Sequence, residues 1–339
     1  KTPNYAYNIP RPEYDNLLRT RAEELGVEFV TCRAKVERGE NGREVQLAAE
    51  TLAEVPQLGG EHPKLLVDST GRARLFARTL DLTAKRGKRS DAAYFAHFED
   101  FDAESSVDGQ VVLSVLEHGW SWRIPLPGRL SVGVVVDSKK AKQHGSTPEE
   151  RLESIIDSEP ILRKAGRERK RVSEVMAYTN YQLISERGHG PGWVAVGDAH
   201  GFVDPMLSPG LFMAMHMADL LDRKVFKSGP SLLDRPDRLA AGLARVEAEM
   251  NDWHTAWGEI IEYFYDGRIF SMYEGGSNLS EKYRKWALPV MMERHLSKHI
   301  TRMVSGVSTR SRYGRGLVSH TSKHLVWDTE PPEHYAVLA

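Results

Sequence analysis

Cysteine is nearly absent from the 339 residues: Cys32 is the single one, so the chain can build no disulfide framework and no thiolate metal cage. That usage points to a reducing, cytoplasmic setting. No apolar run approaches the roughly 20 residues that span a bilayer, and the mean hydropathy of −0.46 agrees. A basic excess is missing as well, with 46 Lys+Arg against 47 Asp+Glu, which argues against nucleic acid as a partner. No Gly-x-Ser-x-Gly occurs, so a nucleophile elbow is excluded. Nor does Gly-x-Gly-x-x-Gly: Gly188-His189-Gly190-Pro191-Gly192 has another spacing and precedes a strand pattern instead of following one. What is there, 40% hydrophobic and 27% charged residues, describes a globular chain with room for two or three structural units.

The periodicity predicts a helix after Pro12, with Tyr14, Leu17, Leu18, Ala22 and Leu25 on one face and Gly26 as its stop. Strands are expected over 27–34, with Cys32 as a small buried hydrophobe, and over 44–52 and 64–68. From Tyr94 to Val136 four β-rich runs with turns between them suggest an antiparallel sheet. Thr147 and Pro148 read as the N-cap and first position of a helix to about Asp157. Beyond Leu239 the pattern is helical, with breaks expected at Gly275-Gly276 and at Gly314 to Gly316.

One segment carries the most chemistry. Trp193 to Val196 reads as a buried strand running into Gly197-Asp198-Ala199-His200, then Phe202-Val203-Asp204-Pro205, then Ser208-Pro209-Gly210 and a helix. Ser208 is placed to cap that helix and Pro209 to open it, so its free N–H groups face whatever lies in front. A helix start favours an anionic group. Asp198, at a strand end, suits sugar-like hydroxyls. Taken alone, the segment also reads as a tight strand-to-helix connection.

Together with other motifs it resembles the second flavin-binding motif of FAD-dependent monooxygenases and halogenases built on the p-hydroxybenzoate hydroxylase type of fold. Val67-Asp68-Ser69-Thr70-Gly71-Arg72 is similar to that group's Asp-x-Ser/Thr-Gly segment, and Arg11-x-x-Tyr14-Asp15-x-x-Leu18 to its Arg-x-x-Phe-Asp-x-x-Leu helix. Trp120-Ser121-Trp122-Arg123-Ile124-Pro125 resembles the Trp-x-Trp-x-Ile-Pro signature of flavin-dependent halogenases. On its own, such a pair on a strand also suits sheet packing.

The resemblance implies an α/β (α+β) fold: a three-layer Rossmann-like FAD unit from residues 1–84 and 176–238, an inserted antiparallel substrate-binding sheet over 85–175 and a C-terminal helical region over 239–339. It implies FAD as cofactor, framed by Arg11, Asp68, Gly71, Gly197, Asp198, Asp204, Pro205, Ser208, Pro209 and Gly210. Trp120 and Trp122 would stand on the substrate side, and His200 would be either a catalytic group near the flavin or a structural one. Reduced flavin, supplied by a separate reductase or by NAD(P)H, would react with O₂ to give a peroxyflavin that oxidises a halide or a small, aromatic or apolar substrate. An aromatic hydroxylase, a geranylgeranyl-reductase-like enzyme and a non-catalytic module that binds no FAD are the alternatives.

Two departures stand out. The pyrophosphate loop and the lysine that accompanies it in the family lie upstream of the helix at Arg11, and no Met opens the chain, so a preceding segment with a strand and that loop is expected. Pro209 stands where halogenases usually carry Ser or Thr; it has no N–H to offer a halide and looks more like the hydroxylases. His295 and His299, and His320 and His324, share helical faces but lack an acidic partner, so no metal site is expected. Trp253, Trp257, Ile260, Ile261 and Phe264 form one helical face that either packs on the sheet domain or roofs a substrate pocket.

Overall fold

The computed structural model describes residues 7–40, 42–105, 107–179, 182–282 and 287–324. They divide into two compact units, one of residues 7–29 and 88–179, the other of residues 30–87 and 182–324.

Helix α1 (Arg11–Glu24) forms where the periodicity places it, but none of its residues is buried. The expected strand over 27–34 does not form: Val27, Phe29 and Val30 are exposed and no ladder partner lies beside them among the described residues, and β propensity without a partner makes no strand. Cys32 is accordingly half-buried. Pairing begins instead at β1 (Val36–Arg38) with β2 (Val45–Leu47). The second half of the strand expected over 44–52 is helix α2 (Ala49–Glu54), because Thr51 turns inward and its Oγ1 accepts the Lys35 N–H at 2.8 Å.

There follow β3 (Leu66–Asp68), α3 (Leu75–Thr79), β4 (Ala84–Arg86), β5 (Asp91–Glu99), β6 (Val112–Leu116), β7 (Gly119–Leu126), β8 (Arg129–Asp137) and α4 (Ser138–Ala141). Next come α5 (Pro148–Ser158), α6 (Pro160–Ala165), β9 (Lys170–Arg171), β10 (Met176–Thr179), β11 (Leu183–Ser185), β12 (His189–Gly190), β13 (Trp193–Ala195) and β14 (Gly201–Phe202). The chain then becomes helical: α7 (Pro209–Lys224), α8 (Pro236–Tyr265), α9 (Arg268–Lys282), α10 (Ala287–Val304) and α11 (Arg312–His324).

In the first unit, β10, β5, β8, β7 and β6 form an antiparallel sheet in that order, with β9 added on β5. Side chains alternate across it. Tyr94, Phe98, Leu130, Val132, Val134 and Val136 point to one face, which Leu152, Ile155 and Ile156 of α5 and Leu162 of α6 close into an aliphatic core. Helix α5 is anchored by a capping box, Thr147 Oγ1 accepting the Glu150 N–H at 3.1 Å and the Glu150 carboxylate accepting the Thr147 N–H at 3.3 Å.

In the second unit, β13 pairs parallel with β3 and antiparallel with β12, while β11 joins β14 and β4. Phe76 meets Trp193 edge-on at 6.0 Å beneath β13, beside Val45, Leu66 and Ala195. Helix α8 buries Leu243, Met250, Trp253, Trp257, Ile260, Ile261 and Phe264 along one stripe. Within this unit that stripe packs on α7, where Phe212 lies 4.9 Å from Trp253 and 6.3 Å from Trp257. The two glycine-rich segments expected to break the helical region are helical instead, inside α9 and α11. Gly314 serves packing: a Cβ there would lie 3.0 Å from Met303 Sδ, so its absence lets α11 approach α10. No helix among the described residues is long and apolar enough to cross a membrane.

Candidate functional site

Two motifs leave the same edge of one sheet. The parallel register sets Ala195 opposite Asp68, so Asp68-Ser69-Thr70-Gly71 and Gly197-Asp198 both start at strand C-termini, the edge where α/β sheets place ligands. Asp68 is buried and spends its carboxylate on its own turn: Oδ1 accepts the Thr70 N–H (2.9 Å) and hydroxyl (2.6 Å), and Oδ2 the Phe76 N–H (2.9 Å). It shapes the loop that exposes Ser69 and Thr70 and turns at Gly71, whose φ is +59°. Asp198 is half-buried within a single helical turn, Gly197–Ala199.

Asp204 does for the next loop what Asp68 does for the first. Its Oδ1 accepts the Met206 N–H (2.9 Å) and the Tyr265 hydroxyl (3.0 Å), and its Oδ2 accepts from Gln182 Nε2 (2.7 Å). Beyond Pro205 the backbone passes through two successive left-handed residues, Leu207 (φ 65°) and Ser208 (φ 52°). Non-glycine residues adopt that region at a cost, and such strain gathers at functional sites. Ser208 therefore does not cap α7 with its side chain as the sequence suggests, since capping requires an extended backbone. Pro209 holds the first helical position, and α7 begins with no side-chain cap over its first-turn donors at Gly210 and beyond.

His200 turns away from this edge into the interior. It is fully buried, both ring nitrogens lack a partner among the described residues, and its ring lies 5.2 Å from that of His254. Gly188 makes room for it; a Cβ there would stand 2.6 Å from His200 Cδ2. His254 donates from Nε2 to the Gly201 carbonyl at 3.2 Å. Burial, and then the neighbouring His200, push the His254 pKa down to about 4; burial lowers that of His200 too. Both imidazoles are neutral at pH 7.

In the first unit, Trp120 and Trp122 project from the same side of β7, the side opposite the aliphatic core, with ring centroids 5.7 Å apart. Phe95 lies 5.6 Å from Trp122 and stacks on Tyr178 at 6.0 Å. The Trp122 indole rests over Gly133, where a Cβ would come within 2.2 Å of the ring, and its Nε1–H donates to Ser131 Oγ at 3.2 Å. On the other side of β7, buried Arg123 binds Glu104 at 2.7 Å and Ser114 at 2.6 Å. Arg11 also lies in this unit, exposed and in a two-pronged pair with Asp15 at 3.1 Å.

Residues 1–240 match the tryptophan halogenase family. The chain belongs to that family. It is 28% identical over 271 residues to a tryptophan 2-halogenase of Chondromyces crocatus, covering 78% of this chain and 51% of that protein. It is 26% identical over 292 residues to a 1H-pyrrole-2-carbonyl-[peptidyl-carrier protein] brominase of Pseudoalteromonas luteoviolacea, covering 79% and 66%. The flavin-dependent brominase Bmp2 shares its fold with a TM-score of 0.70 at 17% identity, over 96% of this chain and 77% of that one. The fold is thus the mixed α/β arrangement of FAD-binding halogenases. This halogenase-family chain spans about half to two thirds of the length of the two curated relatives.

Gln182, Tyr265 and His254 take part in the site's framework but belong to no motif. Each reaches the loops from a distant part of the chain, and nothing local in the sequence marks them. Gly133 was open to detection: it faces Trp122 in antiparallel register, and a lone glycine inside a valine strand signals a close approach.

Proposed function

We propose that this chain belongs to a FAD-dependent halogenase that works with reduced flavin, O₂ and a halide on a small aromatic or apolar substrate. The reading is carried by the placement of Trp120 and Trp122 outside the aliphatic core, on one face of β7, with Trp122 over the bed that Gly133 leaves.

The donor set of the second unit suits FAD. Its strand ends, the half-buried Asp198 and the uncapped start of α7 offer hydrogen-bonding groups of both kinds at the C-terminal edge of a parallel pair. Asp198 would accept from ribityl hydroxyls, and the Gly210 N–H would face the electron-rich edge of the ring system. Asp68 and Asp204 hold the two loops in shape, with Gly71, Gly197 and Pro205 at their bends and exposed Ser208 before the helix. When bound, reduced flavin supplies the reducing equivalents with which O₂ is activated. Trp120 and Trp122 would wall off water and orient the ring to be modified. A separate flavin reductase would deliver the reduced cofactor.

One observation favours a second reading, aromatic hydroxylation. Pro209 removes the first backbone donor of α7, which weakens any halide site there. Product mass separates the two. The protein is incubated with FAD, a reductase, O₂, bromide and a panel of indole, pyrrole and phenol substrates, and a bromine isotope doublet that vanishes without bromide is expected. A halide-independent gain of one oxygen would overturn halogenation in favour of the hydroxylase. A preparation that stays colourless with FAD would overturn both.

A further inference from the structure

We infer that the start of α8 carries a pocket for a phosphoryl anion, distinct from the loops at the start of α7. Lys224, the last residue of α7, lies on its wall. The two sites are therefore separated by the length of that helix, about 22 Å at ~1.5 Å per residue.

The pocket, half open to solvent, has a volume of about 230 Å³, and Lys224, Ser231, Leu232, Arg235, Arg238 and Arg245 stand on its wall. Arg238, Ala241 and Arg245 follow at steps of three and four residues, so they share one helical face. The cations differ in how they are balanced. Lys224 is held by Glu249 at 2.7 Å. Arg235, Arg238 and Arg245 are exposed and, among the described residues, form no ion pair. The nearby carboxylate of Asp234 is engaged by Lys64.

Three exposed arginines lining one pocket, with no ion pair among the described residues, are not a reflection of composition, since the whole chain has a formal net charge of −1. Their like charges repel one another, weakened by solvent screening because all three are exposed. An anion bound among them removes the repulsion. Its chemistry follows from the donors: planar forks match tetrahedral oxyanions, and three of them with the Ser231 hydroxyl offer more hydrogen bonds than one carboxylate can accept. The volume falls below the roughly 300 Å³ at which pockets for drug-sized ligands begin, so the group fits inorganic phosphate or a phosphate ester with a small organic part.

Calorimetric titration at fixed ionic strength tests the assignment, with inorganic phosphate and glycerol 3-phosphate as probes against the wild type and the Arg238→Ala/Arg245→Ala variant. Both arginines are exposed, so the variant should keep its melting temperature. Saturable binding by the wild type, weakened about tenfold or more in the variant, is expected, corresponding to the loss of about 1.4 kcal/mol or more. Equal affinity for the two probes assigns the pocket to the phosphoryl group itself, and preference for glycerol 3-phosphate assigns it to esters. Absence of saturable binding, or equal binding by the two proteins, overturns the proposal. No flavin enters the measurement, so its outcome is independent of the halogenase reading.

Discussion

The two units keep their motif residues in opposite ways. On β5, β7 and β8 of the first unit, the register decides the face: aliphatic side chains go to one side and Trp120, Trp122 and Phe95 to the other, with Trp120 itself buried. In the second unit the motif carboxylates are withdrawn. Asp68 and Asp204 are buried, Asp68 spending its oxygens on its own loop and Asp204 on its loop and on Tyr265 and Gln182, and His200 and His254 are buried as well. A sheet motif therefore specifies which face a side chain takes, and a loop motif specifies a backbone shape.

The largest effect should come from the withdrawn carboxylate. Asp204→Ala strands the Tyr265 hydroxyl, the Met206 N–H and the Gln182 amide, and a stability loss of about 4 kcal/mol in urea unfolding is expected. A loss under 1 kcal/mol would show that the loop does not depend on it and would break the contrast between the units.

Next comes the buried histidine pair of the second unit. The folded-state pKa of His254 lies near 4, below its ordinary 6.5, so between those values the unfolded chain binds the proton and the folded one does not. Its contribution is intact above pH 6.5 and is lost as pH falls toward 4, on the order of 3 kcal/mol in all. His254→Gln should flatten the fall in stability over that interval, and an unchanged slope would remove His254 as its source.

Much of the first unit could be read from the sequence, because alternation and turns are local. The strands around Trp120–Pro125 and Leu130–Val136, and the cap at Thr147, form close to where the pattern puts them. Readings failed where partners decide. Val27 to Ala34 has strand composition and no ladder, Thr51 pulls its segment into a helix, and Gly314 sits inside one because Met303 needs the space. The motif loops were legible as motifs, but their workings were not. The left-handed Ser208 cannot be told from a capping serine in a sequence, and Tyr265 lies 61 residues from the carboxylate it binds.

The smallest effect sharpens the sheet side. Gly133→Ala places a methyl against the Trp122 indole and should cost about 2 kcal/mol, with a shift in tryptophan fluorescence. In a Trp122→Ala background the same change should cost much less, a coupling that a double-mutant cycle reads directly. Additive losses would mean that the indole does not rest on residue 133.

That contact also has a meaning over evolutionary time. A glycine that exists to seat an indole is not free to drift, and the indole has no seat without it, so positions 122 and 133 form one heritable unit. Among descendants of this chain, a lineage that trades Trp122 for a smaller residue should release position 133 to any β-forming side chain. One that keeps Trp122 should show glycine at 133 whatever its substrate.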